Sequence, residues 1–312
     1  MDKKIITVTL NPCIDRTMEF ERVASGGLNR ADFVRVDYGG KGVNVAKVLN
    51  ALGYKTVCAG LLNKTGGTDY KKFLDAECIA HDFIELDGNL RTNVKVYDKS
   101  ERTMTEFNER GVFTAPEAIG PLLDKLFGYK NDAIFVLSGS LPAGMPEGIY
   151  KQIIETLYGT PVVLDADGAA LKSGLAAGPF MIKPNLYELG SIFGVELKNR
   201  ADAVLYGKRV ADEFGVKIVL VSMGGDGAAI TDGKDVFYAE APDVEIRGLQ
   251  GAGDAMVAGA CAAHLNGKNL GETLRYAVAA AAGSIKREGT LLCTADGFAD
   301  AYARVKTTAI SS

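Results

Sequence analysis

Gly251-Ala252-Gly253-Asp254 lead into Ala-Met-Val-Ala-Gly-Ala, a run that reads as a helix. Small residues let the chain turn tightly there. They also leave consecutive backbone N–H groups at a helix start, where those groups and the helix dipole favour an anion. Asp254 then has two readings. It can cap the helix, or it can stand beside a bound phosphate and take the proton of an attacking hydroxyl. Phosphoryl transfer needs the second arrangement: an aligned nucleophile, a base, and positive charge on the transferred group.

Five other stretches carry groups of this kind. Gly39-Gly40-Lys41-Gly42-Val43-Asn44 joins a β stretch to a helix. It fits neither G-x-x-x-x-G-K-[ST] nor G-x-G-x-x-G. It is either a tight turn with a surface lysine, or a backbone that admits a polyhydroxyl ligand with Lys41 and Asn44 as donors. Asn11-Pro12-Cys13-Ile14-Asp15 and Ser138-Gly139-Ser140-Leu141-Pro142 each follow a strand. In open parallel sheets ligands bind beyond the carboxyl ends of strands. Asp15 is placed there to accept from sugar hydroxyls, or is a plain loop aspartate. Cys13 beside it is open to modification. Lys183-Pro184-Asn185-Leu186-Tyr187-Glu188 has capping-box spacing, with Asn in place of Ser or Thr. The same Lys, Asn and Glu also suit nucleotide phosphates and the water shell of a metal. Ser222-Met223-Gly224-Gly225-Asp226-Gly227 is a hairpin turn or a backbone rim for a nucleotide. Arg91 can bind a phosphate bidentately or lie on a solvated strand face.

The elements that must position these groups alternate along the chain. Ile5–Leu10, Thr56–Leu62, Ala133–Ser138, Pro161–Asp165, Phe180–Lys183 and Lys217–Ser222 read as strands. Gly42–Leu52, Gly67–Glu77, Pro146–Tyr158, Leu186–Phe193 and Ala201–Phe214 read as helices. Short apolar runs between amphipathic helices predict an α/β fold with a mostly parallel sheet covered on both faces. Two excursions, about 12–38 and 89–111, break the rhythm. In the second, Arg91–Tyr97 and Thr103–Phe107 alternate polar and apolar residues and read as antiparallel strands. The two excursions predict a small β layer over a site. Ala228–Asp232 and Val236–Tyr238 read as further strands. Ala252–Leu265, Leu270–Arg287 and Ala295–Val305 read as helices. A single domain over 1–312 is expected.

Composition narrows the class. The chain has 312 residues, 47% of them hydrophobic, enough for a large core. Thirty-five Lys and Arg against 39 Asp and Glu give a net charge of −4, which argues against a nucleic-acid partner. The five cysteines are widely spaced, with no C-x-x-C, so disulfide frameworks and zinc ribbons are not expected. Only His81 and His264 occur, and neither is assigned a role. The start Met-Asp-Lys-Lys-Ile-Ile lacks signal-peptide form, and Ala277–Ile285 is too short to span a membrane. A cytoplasmic enzyme with no membrane partner is expected.

Taken together, these residues resemble the ribokinase-like carbohydrate kinases over nearly the whole length. The resemblance rests on GGKGVNVA at Gly39–Ala46 and GAGD at Gly251–Asp254, with NPCID, SGSLP, KPNLYEL and SMGGDG alongside them. Within that family the chain is similar to the branch that phosphorylates sugar phosphates. Fructose 1-phosphate is the first acceptor implied, tagatose 6-phosphate the close alternative and fructose 6-phosphate the third; Lys41 suits the first two better. The resemblance implies a three-layer α/β core with a β lid, ATP and Mg2+ as cofactors, and a homodimer through the lid. It implies Asp254 as general base and Gly251, Ala252 and Gly253 as the anion hole. Asp15, Gly39 and Asn44 would hold sugar hydroxyls, and Arg91, Lys41 and Ser140 the acceptor's phosphate. Lys183, Asn185 and Glu188 would serve ATP and magnesium, Glu188 through metal-bound water. Ser222, Gly224 and Gly227 would line the nucleotide groove.

The chain departs from the family where Asp-Thr usually precedes the glycine motif. Gly248-Leu249 stand there instead. They lack the acid and the hydroxyl of an auxiliary ion or phosphate contact, but leave the base and the anion hole. Two other classes compete. A sugar-phosphate sensor without catalysis would be marked by loss of Asp254 or the glycines, and both are present. A dinucleotide oxidoreductase fits the βαβ rhythm but lacks its glycine fingerprint.

Overall fold

The computed structural model describes residues 4–287 and 291–310. The residues 1–3 of the start discussed above lie outside them. The first half of the chain lays down β1 (Lys4–Thr9), β2 (Cys13–Phe20), β3 (Phe33–Gly39), α1 (Lys41–Ala51), β4 (Thr56–Asn63), α2 (Lys64–Ala76), β5 (Ala80–Asn89), β6 (Arg91–Asp98) and β7 (Thr103–Asn108). The middle adds α3 (Ile119–Phe127), β8 (Ala133–Ser138), α4 (Ile149–Thr156), β9 (Val162–Asp165), α5 (Gly168–Leu175), β10 (Met181–Ile182), α6 (Leu186–Phe193), α7 (Arg200–Phe214) and β11 (Ile218–Ser222). The last third adds β12 (Ala228–Thr231), β13 (Val236–Ala239), α8 (Ala252–Leu265), α9 (Leu270–Ile285), α10 (Ala295–Arg304) and β14 (Thr307–Ala309).

Ten strands form the main sheet in the order β14-β13-β12-β11-β10-β9-β8-β1-β4-β5. From β11 to β5 every neighbouring pair is parallel, and β12, β13 and β14 join antiparallel. The central strands are apolar on both faces because both faces are covered. One layer of core packs Phe135, Leu164 and Val221 against the helices from α3 to α7. The other packs Ile5, Val136 and Leu220 against α1, α8, α9 and α10. All the parallel strands therefore end on one edge, and the loops that leave that edge meet there.

The two excursions meet in a second sheet of four strands, ordered β3-β2-β6-β7. β2 pairs antiparallel with β3, and β6 antiparallel with β7, but the central pair β2–β6 is parallel. The antiparallel reading of Arg91–Tyr97 and Thr103–Phe107 holds for β6 and β7, while β2 and β6, which each leave the main sheet in the same direction, align parallel. A small apolar cluster of Val43, Leu62, Tyr70 and Phe83 underlies it, with Ile14 and Tyr38 packed on top.

Several element boundaries differ from the pattern-based ones. α2 begins at Lys64, with a break at Thr65 and Gly66, and α4 begins only at Ile149. β5, α3, α5 and β14 do not stand out in the pattern. β5 is an edge strand carrying Asp82, Glu85 and Asp87, so its sequence looks like a solvated loop. Among the described residues no helix is long and apolar enough to cross a membrane.

Candidate active site

α8 begins at the open edge of the main sheet. Its N-cap is Gly251, in the left-handed region at φ 71°. A Cβ there would lie 2.4 Å from Leu292 Cδ2, so glycine is required for shape as well as for backbone angle. The first intrahelical bond runs from Ala255 N to Gly251 O at 2.8 Å. The N–H groups of Gly253 and Asp254 therefore precede the helical ladder. Ala252 N lies 3.5 Å from Leu249 O, a marginal contact.

Asp254 does not cap α8. Its side chain is turned into the protein and the residue is 6% exposed. Asn44 Nδ2, from α1, donates to Asp254 Oδ2 at 2.8 Å. Burial pushes the carboxyl up to about 6, and the charge of Asp165 adds to the rise. Lys41, the Asn44 hydrogen bond and Lys183 pull it back down.

Asp165, at the end of β9, joins the site without having a motif of its own. It is fully buried between two lysines: Lys183 Nζ lies 3.4 Å from Oδ1 and Lys41 Nζ 3.6 Å from Oδ2. Ser138 Oγ donates to Oδ2 at 3.3 Å, while Oδ1 has an ion-pair contact but no aligned hydrogen bond. Burial alone would raise this carboxyl; Lys183 and Lys41 outweigh it and hold it below its ordinary value. In return Asp165 raises the Lys41 ammonium against the cost of burial. Lys183 also meets α8, since a Cβ on Gly253 would sit 3.3 Å from its Nζ. Lys41, Asp165, Lys183, Gly253, Asp254 and Asn44 thus form one contiguous corner.

The small sheet presents one polar face to this corner. Side chains alternate along a strand, so residues two apart share a face. Register places Asp37, Asp15, Asn93 and Asn108 in one row, and Arg35, Thr17, Lys95 and Glu106 in the next. Asp15 is buried and held three ways. Asn93 Nδ2 donates to Oδ1 at 3.0 Å, Lys95 Nζ lies 3.1 Å from Oδ2, and Cys13 Sγ is 3.6 Å from Oδ1. Arg91 Nε and Nη2 both donate to Asn11 O, at 3.1 and 3.0 Å, and Nη1 to Glu109 O at 3.1 Å. Between this face and the corner lies a cavity of about 480 Å³, whose walls include Asp15, Lys41, Asn44, Arg91, Ser140 and Gly251. Asp254 does not line it directly, but its bonding partner Asn44 does. Gly39 backs the wall: its position is 3.2 Å from Asp15 Oδ2 measured from a built Cβ, and its carbonyl accepts from Tyr70 OH at 2.7 Å.

The remaining candidates gather past β10 and β11. Asn185 and Glu188 form a full capping box on α6, with Glu188 N to Asn185 Oδ1 at 2.8 Å and Asn185 N to Glu188 Oε2 at 2.9 Å. Asn185 bridges to Ser222, and Ser222 N donates to Pro184 O at 3.0 Å. Gly224 and Gly227 sit in the turn that joins β11 to β12, so this is a hairpin. Gly227 (φ 87°) is packed so that a Cβ would clash with Ala239 O at 2.0 Å. These five residues lie outside the 480 Å³ cavity.

No group of three His, Cys, Asp or Glu capable of holding a metal occurs among the described residues. Asp165 is neutralised by its two lysines. The donor set does not fit an all-protein metal cage; a magnesium ion here would take its ligands from phosphate oxygens and water.

Asn93, Lys95, Glu106, Asn108 and Gln250 also line the cavity, beyond the residues that the motifs single out. Period-two spacing from Arg91 would have found Asn93 and Lys95. Asp165 carried one signal, a carboxylate ending an apolar strand. Cys13 lines the cavity but is buried, and burial with the neighbouring Asp15 pushes its thiol up to about 12, which disfavours the reactive thiolate. His264 packs its ring 4.7 Å from Phe180. Leu249 is exposed, and Arg247 N and Gly248 N both donate to Ile285 O, which ties this loop to the end of α9.

Comparison with known proteins agrees with this geometry. A profile described as pfkB family carbohydrate kinase matches residues 8–296. The 1-phosphofructokinase of Bacillus subtilis is 35% identical over 276 residues, covering 88% of this chain and 90% of that protein. The 1-phosphofructokinase of Rhodobacter capsulatus is 35% identical over 294 residues, covering 93% and 92%. The crystal structure of phosphofructokinase-2 from Escherichia coli in complex with potassium aligns with a TM-score of 0.92 at 27% identity, over 96% of this chain and 98% of that one. The ribokinase-like α/β fold with its second small sheet is that of these enzymes. The chain belongs to the pfkB family of carbohydrate kinases and is a phosphotransferase.

Proposed function

We propose that this kinase transfers the γ-phosphoryl group of ATP to the free 6-hydroxyl of fructose 1-phosphate, giving fructose 1,6-bisphosphate and ADP. The observation that carries the reading is one juxtaposition. A buried carboxylate that does not cap its helix, Asp254, stands at unladdered N–H groups and two lysines, beside a cavity walled by Asp15, Asn93 and Arg91. The names of the relatives at 35% identity support the acceptor.

Each residue then has a task. Asp15, with Asn93, Asn44 and the Gly39–Gly40 backbone, holds sugar hydroxyls. Arg91, Lys41 and Ser140 hold the phosphate the acceptor already carries. Asp254 takes the hydroxyl proton while the oxygen–phosphorus bond forms and the bond to ADP breaks. Burial keeps this carboxyl basic enough for the task, yet ionised above pH 6. The α8 N–H groups of Gly251, Ala252 and Gly253, with Lys183, meet the charge on the group in transfer. Asp165 holds both lysines in place. Asn185, Glu188, Ser222, Gly224 and Gly227 serve the nucleotide, and magnesium bound there would neutralise phosphate charge.

The small sheet acts as a lid that keeps water from competing as acceptor. Its outer face carries exposed Val34, Val36 and Phe107, the last 61% exposed. An apolar stripe of that kind suits burial against a second copy, so the working form is a homodimer joined through the lids. The five described cysteines are unpaired, in keeping with the cytoplasm.

The test is ADP release with Mg-ATP against fructose 1-phosphate, tagatose 6-phosphate and fructose 6-phosphate at equal concentration. The expected result is a preference of about 100-fold in kcat/KM, equivalent to about 2.7 kcal/mol, for fructose 1-phosphate. An equal preference for tagatose 6-phosphate would overturn the acceptor and keep the chemistry. Silence with all three would overturn both.

A further inference from the structure

Gln250 stands immediately before the α8 N-cap and is half-buried. Its side chain reaches away from α8 to the small sheet. Lys95 Nζ donates to Gln250 Oε1 at 2.9 Å, and Gln250 Nε2 donates to Glu106 Oε1 at 3.0 Å. Lys95 and Glu106 are directly opposite each other on β6 and β7. They have opposite charge, yet no ion pair joins them among the described residues; Lys95 pairs with Asp15 instead.

A primary amide suits this position for a definite reason. It offers an acceptor oxygen and a donor nitrogen from one rigid plane. Here the ammonium takes the oxygen and the carboxylate takes the NH2 group, so its orientation is set by its neighbours. An apolar side chain would leave both partners unmet, and a purely anionic one would leave Glu106 unmet. Hydrogen bonds to charged groups are stronger than neutral ones; the cost of a lost partner falls on buried Lys95, while Glu106 is exposed and water screens its bond.

The bridge therefore joins two regions that must be in register for transfer. Lys95 also contacts Asp15, on the acceptor side of the cavity. Gln250 is covalently next to Gly251, at the start of the helix that carries Asp254. We infer that Gln250 is a positioning residue that docks the small sheet onto the α8 loop and sets the acceptor's distance from the reacting corner. The inference rests on the kinase reading above for its catalytic consequence, but not for its structural one. Gln250 lines the cavity, but both ends of its amide are taken by Lys95 and Glu106, so it acts through them.

Reciprocal exchange tests it. Gln250→Glu keeps the oxygen for Lys95 but sets a carboxylate against Glu106. Adding Glu106→Gln restores the complement, because the amide now on β7 can donate to the carboxylate introduced before α8. The expected outcome is a loss of about 10- to 100-fold in kcat for Gln250→Glu, with KM for ATP within about twofold. The double variant should return to within about threefold of Glu106→Gln alone. A second readout needs no substrate: amide hydrogen exchange across 91–108 should rise in Gln250→Glu and fall back in the double variant. Wild-type kcat in Gln250→Glu would overturn the inference. So would a double variant no better than the single one, or unchanged exchange across 91–108. If the wild type phosphorylates none of the three acceptors, the function reading fails, and the exchange experiment still decides the bridge.

Discussion

The corner around Asp165 and Asp254 and the small four-stranded sheet solve the same problem, holding charge out of water, in opposite ways. In the corner, two carboxylates and two lysines come from four distant places: α1, β9, the end of β10 and the start of α8. Each sits at a strand end or helix start, so rigid elements set its position and few local bonds are needed. On the small sheet the groups come from neighbouring strands in rows, and almost every one is tied by a hydrogen bond or ion pair to the next. The contrast teaches where precision comes from. Core topology supplies it in the corner. On a single small sheet with one exposed face, side-chain bonds must supply it.

The comparison breaks first at Asp254. Asp254→Asn should lower kcat by about 1,000-fold while acceptor binding by calorimetry stays within about threefold. Retained turnover would move the chemistry away from the corner. The next largest effect belongs to the sheet. Arg91→Gln should raise the acceptor KM by about 30-fold and leave kcat within about threefold, if the sheet serves binding alone. A matching fall in kcat would show that the sheet also acts in the transition state.

Asp165→Asn sharpens the account of the corner. Leaving two lysines without their shared carboxylate should cost about 3 kcal/mol in denaturant unfolding. The same change should move a pH limb. With Asp254 as the proposed base, the wild type should lose rate as pH falls through about 6. Asp165 is one cause of that raised value, so its removal should shift the limb to lower pH. An unmoved limb would mean that another group sets it.

A smaller effect follows by linkage. A carboxyl raised in the folded state contributes stability below its unfolded value, and that contribution is lost as pH rises through the folded value. Asp254→Asn should therefore gain stability relative to wild type between about pH 4 and pH 7, by on the order of 2 kcal/mol, read from chemical denaturation at several pH values. The smallest change expected in the fold itself is that of Phe107→Asp. It should lower the mass seen by light scattering toward one subunit while the main sheet's thermal transition stays within about 2 °C. An unchanged mass would overturn the proposed lid-to-lid dimer.

Much of this was legible in the chain. The parallel core followed from apolar runs between amphipathic helices, and the glycine loops fall at the edge where the parallel strands end. Period-two alternation disclosed strands in the excursions. The capping box at Asn185 and Glu188 could be read from spacing alone, because it is closed within four residues. Edge elements were harder. β5 is acidic and half-solvated, and α5, with Gly168 and Gly174, has little helical pattern to show.

By itself the sequence determined which chemistry was available: a carboxylate at a helix start, lysines and an arginine at strand ends, small residues where backbone must approach. These are local properties, set by residue type and near neighbours. Only tertiary structure decided how they would be used. Asp165 and Asp254 are the same residue type, both buried, yet two lysines hold one low while burial raises the other. Asn44 meets Asp254 across 210 positions, and Gln250 meets Lys95 across 155. Electrostatic energy depends on distance and on exclusion of water, and neither exists for such pairs until the sheet has brought its strand ends together.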